Sequence, residues 1–338
     1  EPQSFLIAPE KTPSRIILYV IDALRPDHLA LYGYDRDTAP TISALAREGA
    51  VFTRCFSKTT WTLFSVENMF SGMHGSAYLD ERGARPVEDH VEMLPEFFQT
   101  SDWRTGLVTE NTFVTVRYNF TPNFDFVGNS SISGFKDKDN WSAETHLNFE
   151  TFLDQVKKAP FFLYVHTMEA HSPIVIPETI SPKFAKGTAL KDNLVGWYDS
   201  AVHVADQNLA NFIELLKERD LYDNTLLIIT ADHGESLPPG RSQGVHTGPP
   251  LLERVHVPLI IHWPGMVPAG TEFDDLVQLL DLAPTLLEAA RIPRPSQFQG
   301  ESLIALLTQG NRDSLQNRTM FTIGESLDDK GAAEGNRY

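Results

Sequence analysis

Arg15-Ile16-Ile17-Leu18-Tyr19-Val20-Ile21-Asp22 and Leu226-Leu227-Ile228-Ile229-Thr230-Ala231-Asp232-His233-Gly234 share one design, an apolar run of strand length that stops at a metal-capable carboxylate. Runs that are apolar on both faces suit strands covered on both sides, as in a parallel sheet sandwiched by helices. Ligands of such sheets bind just beyond the carboxyl ends of the strands, so Asp22, Asp232 and His233 could converge there on one cation. A single strand ending in Asp means little, because Asp commonly closes turns and caps helices. Two such ends, one carrying an adjacent imidazole, point to a site.

Working outward, apolar runs at 16–21, 105–109, 161–166, 225–231 and 257–262 alternate with helical patterns. That alternation predicts an α/β fold, a mostly parallel central sheet sandwiched by helices, with a small C-terminal portion. Tyr198 to Arg219 carries apolar residues mostly at helical spacing, and a second helix is expected from Leu276 to Ala290, bent at Pro284. Residues 125–145 and 234–250, rich in Ser, Gly, Asp or Pro, read as long surface loops, and Gly324 to Tyr338 as a loop or frayed end. The expected division is an N-terminal extension at 1–14, a catalytic domain at 15–310 and a C-terminal segment at 311–338.

The chain has 338 residues, 41% of them hydrophobic, enough for a large core. Its net charge of −17 argues against nonspecific binding to nucleic acid or anionic membrane. No apolar run approaches the ~20 residues that a membrane-spanning helix needs. The start at Glu1, without Met or a leader, reads as a processed or trimmed boundary. Cys55 is the sole cysteine, which excludes an internal disulfide and a thiolate cluster and suits a small buried core residue.

Ser57 to Ser65 precedes an apolar helical run ending at Gly72, which puts Thr62 near a helix N-terminus. Unpaired amides and the helix dipole there would stabilise an alkoxide or a bound oxyanion, so Thr62 is a candidate nucleophile; a helix cap is the alternative role. Asp199 and His203, four apart on the strong helix, share a face that could mark a second metal, although an ordinary intrahelical pair is the commoner arrangement, and they are left outside the site. Lys58 and Arg25 are the nearest basic residues by sequence.

Asp22 with Arg25-Pro26-Asp27-His28, then Thr38-Ala39-Pro40-Thr41-Ile42, Ala231-Asp232-His233-Gly234-Glu235, Trp263-Pro264-Gly265 and Asp281-Leu282-Ala283-Pro284-Thr285 resembles the sulfatase family of the alkaline phosphatase superfamily, over roughly residues 15 to 308. The resemblance implies a metal-dependent hydrolase or transferase acting on phosphate or sulfate esters. Family sulfatases carry a Cys or Ser that becomes formylglycine; that position falls here on Thr62, with Phe64 and Val66 where Pro and Arg would stand. This resembles the threonine-nucleophile branch of phosphoethanolamine and phosphoglycerol transferases and implies a covalent Thr62 ester.

Carried over by the resemblance, Asp22, Thr62, Asp232 and His233 are the metal ligands. His171 and His246 act on the transferred group or the leaving oxygen, and His166 and Asn111 lie against the substrate. One divalent ion is implied, and an imidazole with few carboxylates suits zinc or manganese better than calcium. The expected partner is an anionic ester, a phospholipid headgroup, glycan or small molecule. Sulfuric ester hydrolysis and a catalytically silent anion-binding module are the alternatives. Family habit implies an extracytoplasmic location, periplasmic or secreted, or the soluble domain of a membrane-anchored protein.

Overall fold

The computed structural model describes residues 12–74, 86–130, 138–176, 180–186, 189–246, 248–324 and 330–333. Its strands are β1 (Arg15–Ile21), β2 (Ala50–Phe56), β3 (Arg104–Thr109), β4 (Phe126–Asn129), β5 (Phe161–Thr167), β6 (Thr225–Thr230), β7 (His256–His262), β8 (Thr271–Phe273), β9 (Val277–Gln278), β10 (Met320–Ile323) and β11 (Lys330–Ala333). The helices are α1 (Pro40–Glu48), α2 (Thr62–Ser71), α3 (Leu94–Gln99), α4 (Lys138–Val156), α5 (Leu194–Glu218), α6 (Leu252–Val255), α7 (Leu282–Ala289) and α8 (Ile304–Gln309).

The main sheet runs β4-β3-β5-β1-β6-β7-β2-β8, with β9 also on β2. β4, β3, β5, β1 and β6 are mutually parallel, and β7 is antiparallel to both β6 and β2. Every residue of β1, β5 and β6 is buried, as strands covered on both faces require. The expected mostly parallel α/β sheet is therefore present. Because β7 reverses direction twice over, β2 runs parallel to β6, and the carboxyl ends of β3, β5, β1, β6 and β2 share one edge of the sheet. Among the described residues no helix is long and apolar enough to cross a membrane.

Several boundaries differ from the sequence reading. The segment 276–290 is not one bent helix: β9 and a turn of 3-10 helix at Leu279–Asp281 precede α7. Pro284 falls in the first turn of α7, where its missing N–H has no intrahelical partner to lose, so it starts the helix rather than bending it. The expected loop at 125–145 holds β4 and the start of α4, while 131–137 lie outside the described residues. Within the expected C-terminal loop, Lys330–Ala333 pairs antiparallel with β10; residues 325–329 and 334–338, like 1–11, lie outside the described part. Cys55 is buried, as expected.

Two anchors, one of packing and one polar, fix the frame around the sheet edge. Gly72 ends α2 with φ 61°, and the ring of Phe298 lies where a side chain at Gly72 would project, 2.9 Å from an ideal Cβ. Asp281, with no exposure, accepts hydrogen bonds from the amides of Gln278 and Glu301 (both 2.8 Å) and from both Arg318 guanidinium nitrogens (both 2.7 Å). It ties the approach to β10 onto α7. Asp281→Ala would strand the half-buried Arg318 cation, and equilibrium urea unfolding should show a loss of about 3–5 kcal/mol; a loss within 0.5 kcal/mol, roughly the noise of surface substitutions, would mean the pair is dispensable.

Candidate metal and ester site

The strand register explains why distant residues meet. Ile21 is level with Thr167 and Val20 with both His166 and Thr230, so Asp22 and Asp232 leave adjacent strands at one height, and His166 lies two positions lower near the end of β5. Asn111 follows β3, whose Thr109 is level with His166. Thr62 opens α2, which β2 delivers to the same edge. The chain turns sharply after Asp22: Ala23 adopts φ 60°, an uncommon left-handed conformation for a residue with a Cβ. That turn is held by Tyr198, whose hydroxyl donates to the Ala23 carbonyl (2.7 Å) and accepts from the Arg25 amide (2.9 Å).

Asp22, His166, Asp232 and His233 are completely buried, and Thr62 and Asn111 are each 2% exposed. Thr62 Oγ1 lies 3.4 Å from Asp22 Oδ2 and 3.3 Å from His233 Nε2. His233 Nε2 lies 3.6 Å from both Asp22 Oδ1 and Asp232 Oδ2. Asn111 Nδ2 donates to Asp22 Oδ2 at 2.7 Å and approaches Thr62 Oγ1 at 3.4 Å. Thus the four expected ligands are brought together, with Asn111 against two of them.

His166 Nε2 lies 3.1 Å from Asp22 Oδ2 and 3.8 Å from Asp232 Oδ2, and its Nδ1 is 2.9 Å from the Tyr164 hydroxyl. It therefore sits among the carboxylates, at the floor of the site. Two sets of side chains have donor atoms close enough to share an ion: Asp22 with His171 and His233, and Asp22 with His166 and Asp232. The rings of His171, His233 and His246 pack on one another, with centroids 4.8–6.0 Å apart.

Three features fit a cation among these donors. Asp22 Oδ1 and Asp232 Oδ2 are buried with no hydrogen-bond donor, an arrangement that is costly for a carboxylate unless something positive meets it. The Gly234 carbonyl, 2.9 Å from His233 Nδ1, can only accept, so Nδ1 carries the proton and Nε2 turns its lone pair toward the carboxylates and Thr62. The donor separations of 3.3–3.6 Å also match the edge of roughly 3.3 Å expected for ligands about 2.0–2.1 Å from one tetrahedral ion.

In the metal-free protein, charge balance falls on the imidazoles. Burial of Asp22 opposes its ionisation, but His171, His166 and His233 outweigh it and hold its carboxyl well below the usual range. Burial likewise opposes the His233 charge, and Asp232 and Asp22 outweigh it and raise that imidazole. At His171 burial wins over the pull of Asp22 and Glu235, and its imidazole is lowered.

Glu235 escaped the sequence reading although it belongs to the Asp232-His233-Gly234-Glu235 run. It is completely buried; Oε2 accepts from the Ser172 amide (3.2 Å) and hydroxyl (3.1 Å), and Oε1 lies 3.6 Å from His246 Nδ1. Ser172 comes from a loop 63 residues away in sequence and His246 from further along the 234–250 stretch, and no local signal reveals either contact. Asp199 and His203 take no part in the site. Asp199 accepts from Tyr34 and Arg36 and contacts His28, all at 2.7 Å, while His203 Nδ1 donates to the Thr38 carbonyl at 3.0 Å. Both fasten the 26–38 segment to α5.

Arg25 is spoken for by Asp27 and the Glu235 carbonyl. Burial pushes Lys58 down to about 8, and burial pushes Glu67 on α2 up to about 7. Since Glu67 is raised in the fold from an ordinary 4.5, the folded state should lose stability as pH climbs from about 4.5 to 7 and stay lower above it. Glu67→Gln should flatten that slope and stabilise the protein by on the order of 2–3 kcal/mol at pH 8. Urea unfolding at pH 5 and pH 8 reads both; an unchanged slope would contradict the assignment.

The family model described as Sulfatase matches residues 14–292. The chain belongs to the sulfatase family. This sulfatase-family chain is 24% identical over 366 residues to human N-acetylgalactosamine-6-sulfatase, spanning 91% of itself and 68% of that protein. It is 28% identical over 220 residues to an arylsulfatase of Clostridium perfringens, spanning 54% and 45%. The structure of a phosphonate monoester hydrolase from Silicibacter pomeroyi superposes with a TM-score of 0.74 at 19% identity, covering 94% and 81% of the two chains. The expectation of a sulfatase-family ester hydrolase holds at that level.

Proposed function

We propose that the chain hydrolyses an anionic sulfate, phosphate or phosphonate ester of a glycan or small molecule, using Thr62 as nucleophile beside one divalent ion. The observation that carries this reading is the convergence of two donor-less carboxylate oxygens on His233 Nε2, which itself lies 3.3 Å from the Thr62 hydroxyl. Asp22, Asp232, His233 and Thr62 would hold the ion, with His166 available at the floor. Imidazole with two carboxylates favours zinc or manganese over calcium. When bound, the ion supplies positive charge that lowers the hydroxyl pKa and neutralises substrate oxygens.

The first-turn amides of α2 lie beside Thr62 and favour negative charge there. Thr62 Oγ1, its proton already lost to solvent, forms a bond to phosphorus or sulfur as the bond to the leaving oxygen breaks, and His171 or His246 gives that oxygen its proton. Asn111 orients Asp22 and Thr62. A threonyl ester is released only by attack at phosphorus or sulfur, so water closes the cycle, returning a proton to the imidazole and freeing Thr62. An acceptor alcohol in place of water would give the transferase chemistry of the threonine-nucleophile branch. The names of the relatives favour the hydrolase, and among hydrolases sulfuric ester cleavage is the second reading.

Turnover of matched aryl sulfate, phosphate monoester and phosphonate monoester substrates, with manganese or zinc added, tests the proposal. At least one should turn over in a metal-dependent way. Stoichiometric metal with no turnover of any would replace the hydrolase by an anion-binding module.

A further inference from the structure

A cavity of about 650 Å³ lies between α4 and α5, over Tyr19 of β1 and Thr167 of β5. Five glutamates line it, Glu110 and Glu169 from the ends of strands and Glu150, Glu214 and Glu218 from the two helices, and among the described residues no lysine or arginine does. Arg219 and Lys217 reach Glu150 (3.8 Å) and Glu214 (2.8 Å) from outside the lining. Glu169 and Glu218 pair with no cation of the described residues, which leaves the cavity strongly negative.

Its inner wall holds polar atoms that the chain does not satisfy. Glu110, 2% exposed, accepts from the Thr145 hydroxyl (2.7 Å) and the Met168 amide (2.9 Å). Glu169 Oε1 accepts from the Asn208 amide (2.7 Å), whereas its Oε2 is buried without a hydrogen bond. Thr167 is buried and lies toward the Tyr19 hydroxyl, yet its own hydroxyl oxygen also makes no hydrogen bond. Such atoms are costly unless a donor reaches them from outside the chain. Phe149 and Tyr19 add aromatic rings to the same lining, and ring faces attract cations.

The spacing of the charges selects among cations. At the ester site three donors come within reach of one ion, but among the described residues no three carboxylates or imidazoles of this cavity do. A bare calcium ion needs about six to eight oxygens at roughly 2.3–2.6 Å. Negative charges spread over a space of small-molecule size call instead for positive charges spread along a chain. We propose that this cavity binds a linear organic polyammonium ion, its ammonium groups on Glu169, Glu110 and the helix glutamates and its methylene groups along Phe149 and Tyr19. The site is separate from the ester chemistry and does not depend on Thr62.

The test is isothermal titration calorimetry of spermidine into the full chain, at a fixed manganese concentration, against n-butylamine and magnesium. Spermidine should bind roughly three- to thirtyfold tighter than n-butylamine at low salt, with the gap shrinking at high salt. Glu169→Gln with Glu218→Gln keeps the side-chain shapes, including an oxygen facing Asn208, and should weaken spermidine roughly three- to tenfold. Glu272→Gln with Asp313→Asn removes the same charge from exposed positions outside the cavity and should leave binding unchanged. Should the first pair lose its melting transition, Glu214→Gln with Glu218→Gln, both on the exposed side of α5, is read in its place with the same expectation. No binding of spermidine, equal affinity for n-butylamine, an equal loss in the two charge-removal pairs, or tighter binding of magnesium at these glutamates would overturn the proposal.

Discussion

Thr62→Ala is expected to lower kcat by at least roughly a thousandfold on whichever ester the wild type cleaves, because the atom that forms the covalent bond is gone. The substitution removes little buried volume, so the protein should stay folded and still bind a divalent ion through Asp22, Asp232 and His233, more weakly by the loss of one donor. Thr62→Ser restores the oxygen without the methyl group and should recover a substantial part of the rate. Full turnover by the alanine variant would refute nucleophilic catalysis at this position. A serine variant as inert as alanine would point instead to damage to the packing of α2.

The second large effect concerns the ion. Without it, Asp22 Oδ1 and Asp232 Oδ2 are buried with no donor. Because binding is to the folded state alone, a metal at a hundred times its Kd should add about 2.7 kcal/mol of stability. Chelation should lower Tm, and zinc or manganese should restore it. Asp22→Asn should abolish most of that metal-dependent shift and, with it, turnover, since the amide keeps the shape near Asn111 but loses the charge. In the metal-free fold the imidazoles of His171, His166 and His233 stabilise the Asp22 charge, so the variant should fall below the chelated wild type in Tm at neutral pH. A metal-induced Tm shift of wild-type size in Asp22→Asn would exclude the ligand set.

How much of this was legible in the sequence depends on distance along the chain. β1, β5, β6 and β7 could be read because they are nearly unbroken apolar runs, and that pattern survives without knowledge of neighbours. β2 lacked such a signal: Thr53 and Arg54 interrupt it and are half-buried, and the ladder with β7 shifts register between Phe52 and Cys55. β10 and β11 form a short antiparallel pair, and β10 takes its position from the Ile323 amide donating to the Lys58 carbonyl at 2.7 Å, a contact between chain segments far apart.

At the site, Asp22, Asp232 and His233 were visible because they stand at strand ends. His166 and His171 became candidates through the family resemblance alone; the register that sets His166 level with Val20 is a property of the folded sheet. Glu235 had no reading of its own, since its meaning comes from contacts with Ser172, on a distant loop, and with His246, eleven residues on. Asp199 and His203 show the opposite case, a suggestive helical spacing spent on holding one surface segment.

The central claim is that one divalent ion lies among Asp22, Thr62, Asp232 and His233. The most direct measurement is anomalous diffraction from crystals soaked in manganese or zinc, recorded at the absorption edge of the metal. A single peak about 2.0–2.2 Å from His233 Nε2 and from a carboxylate oxygen of both aspartates, with Thr62 Oγ1 at its side, is the predicted result. A peak elsewhere, or none at a concentration that supports turnover, would contradict it.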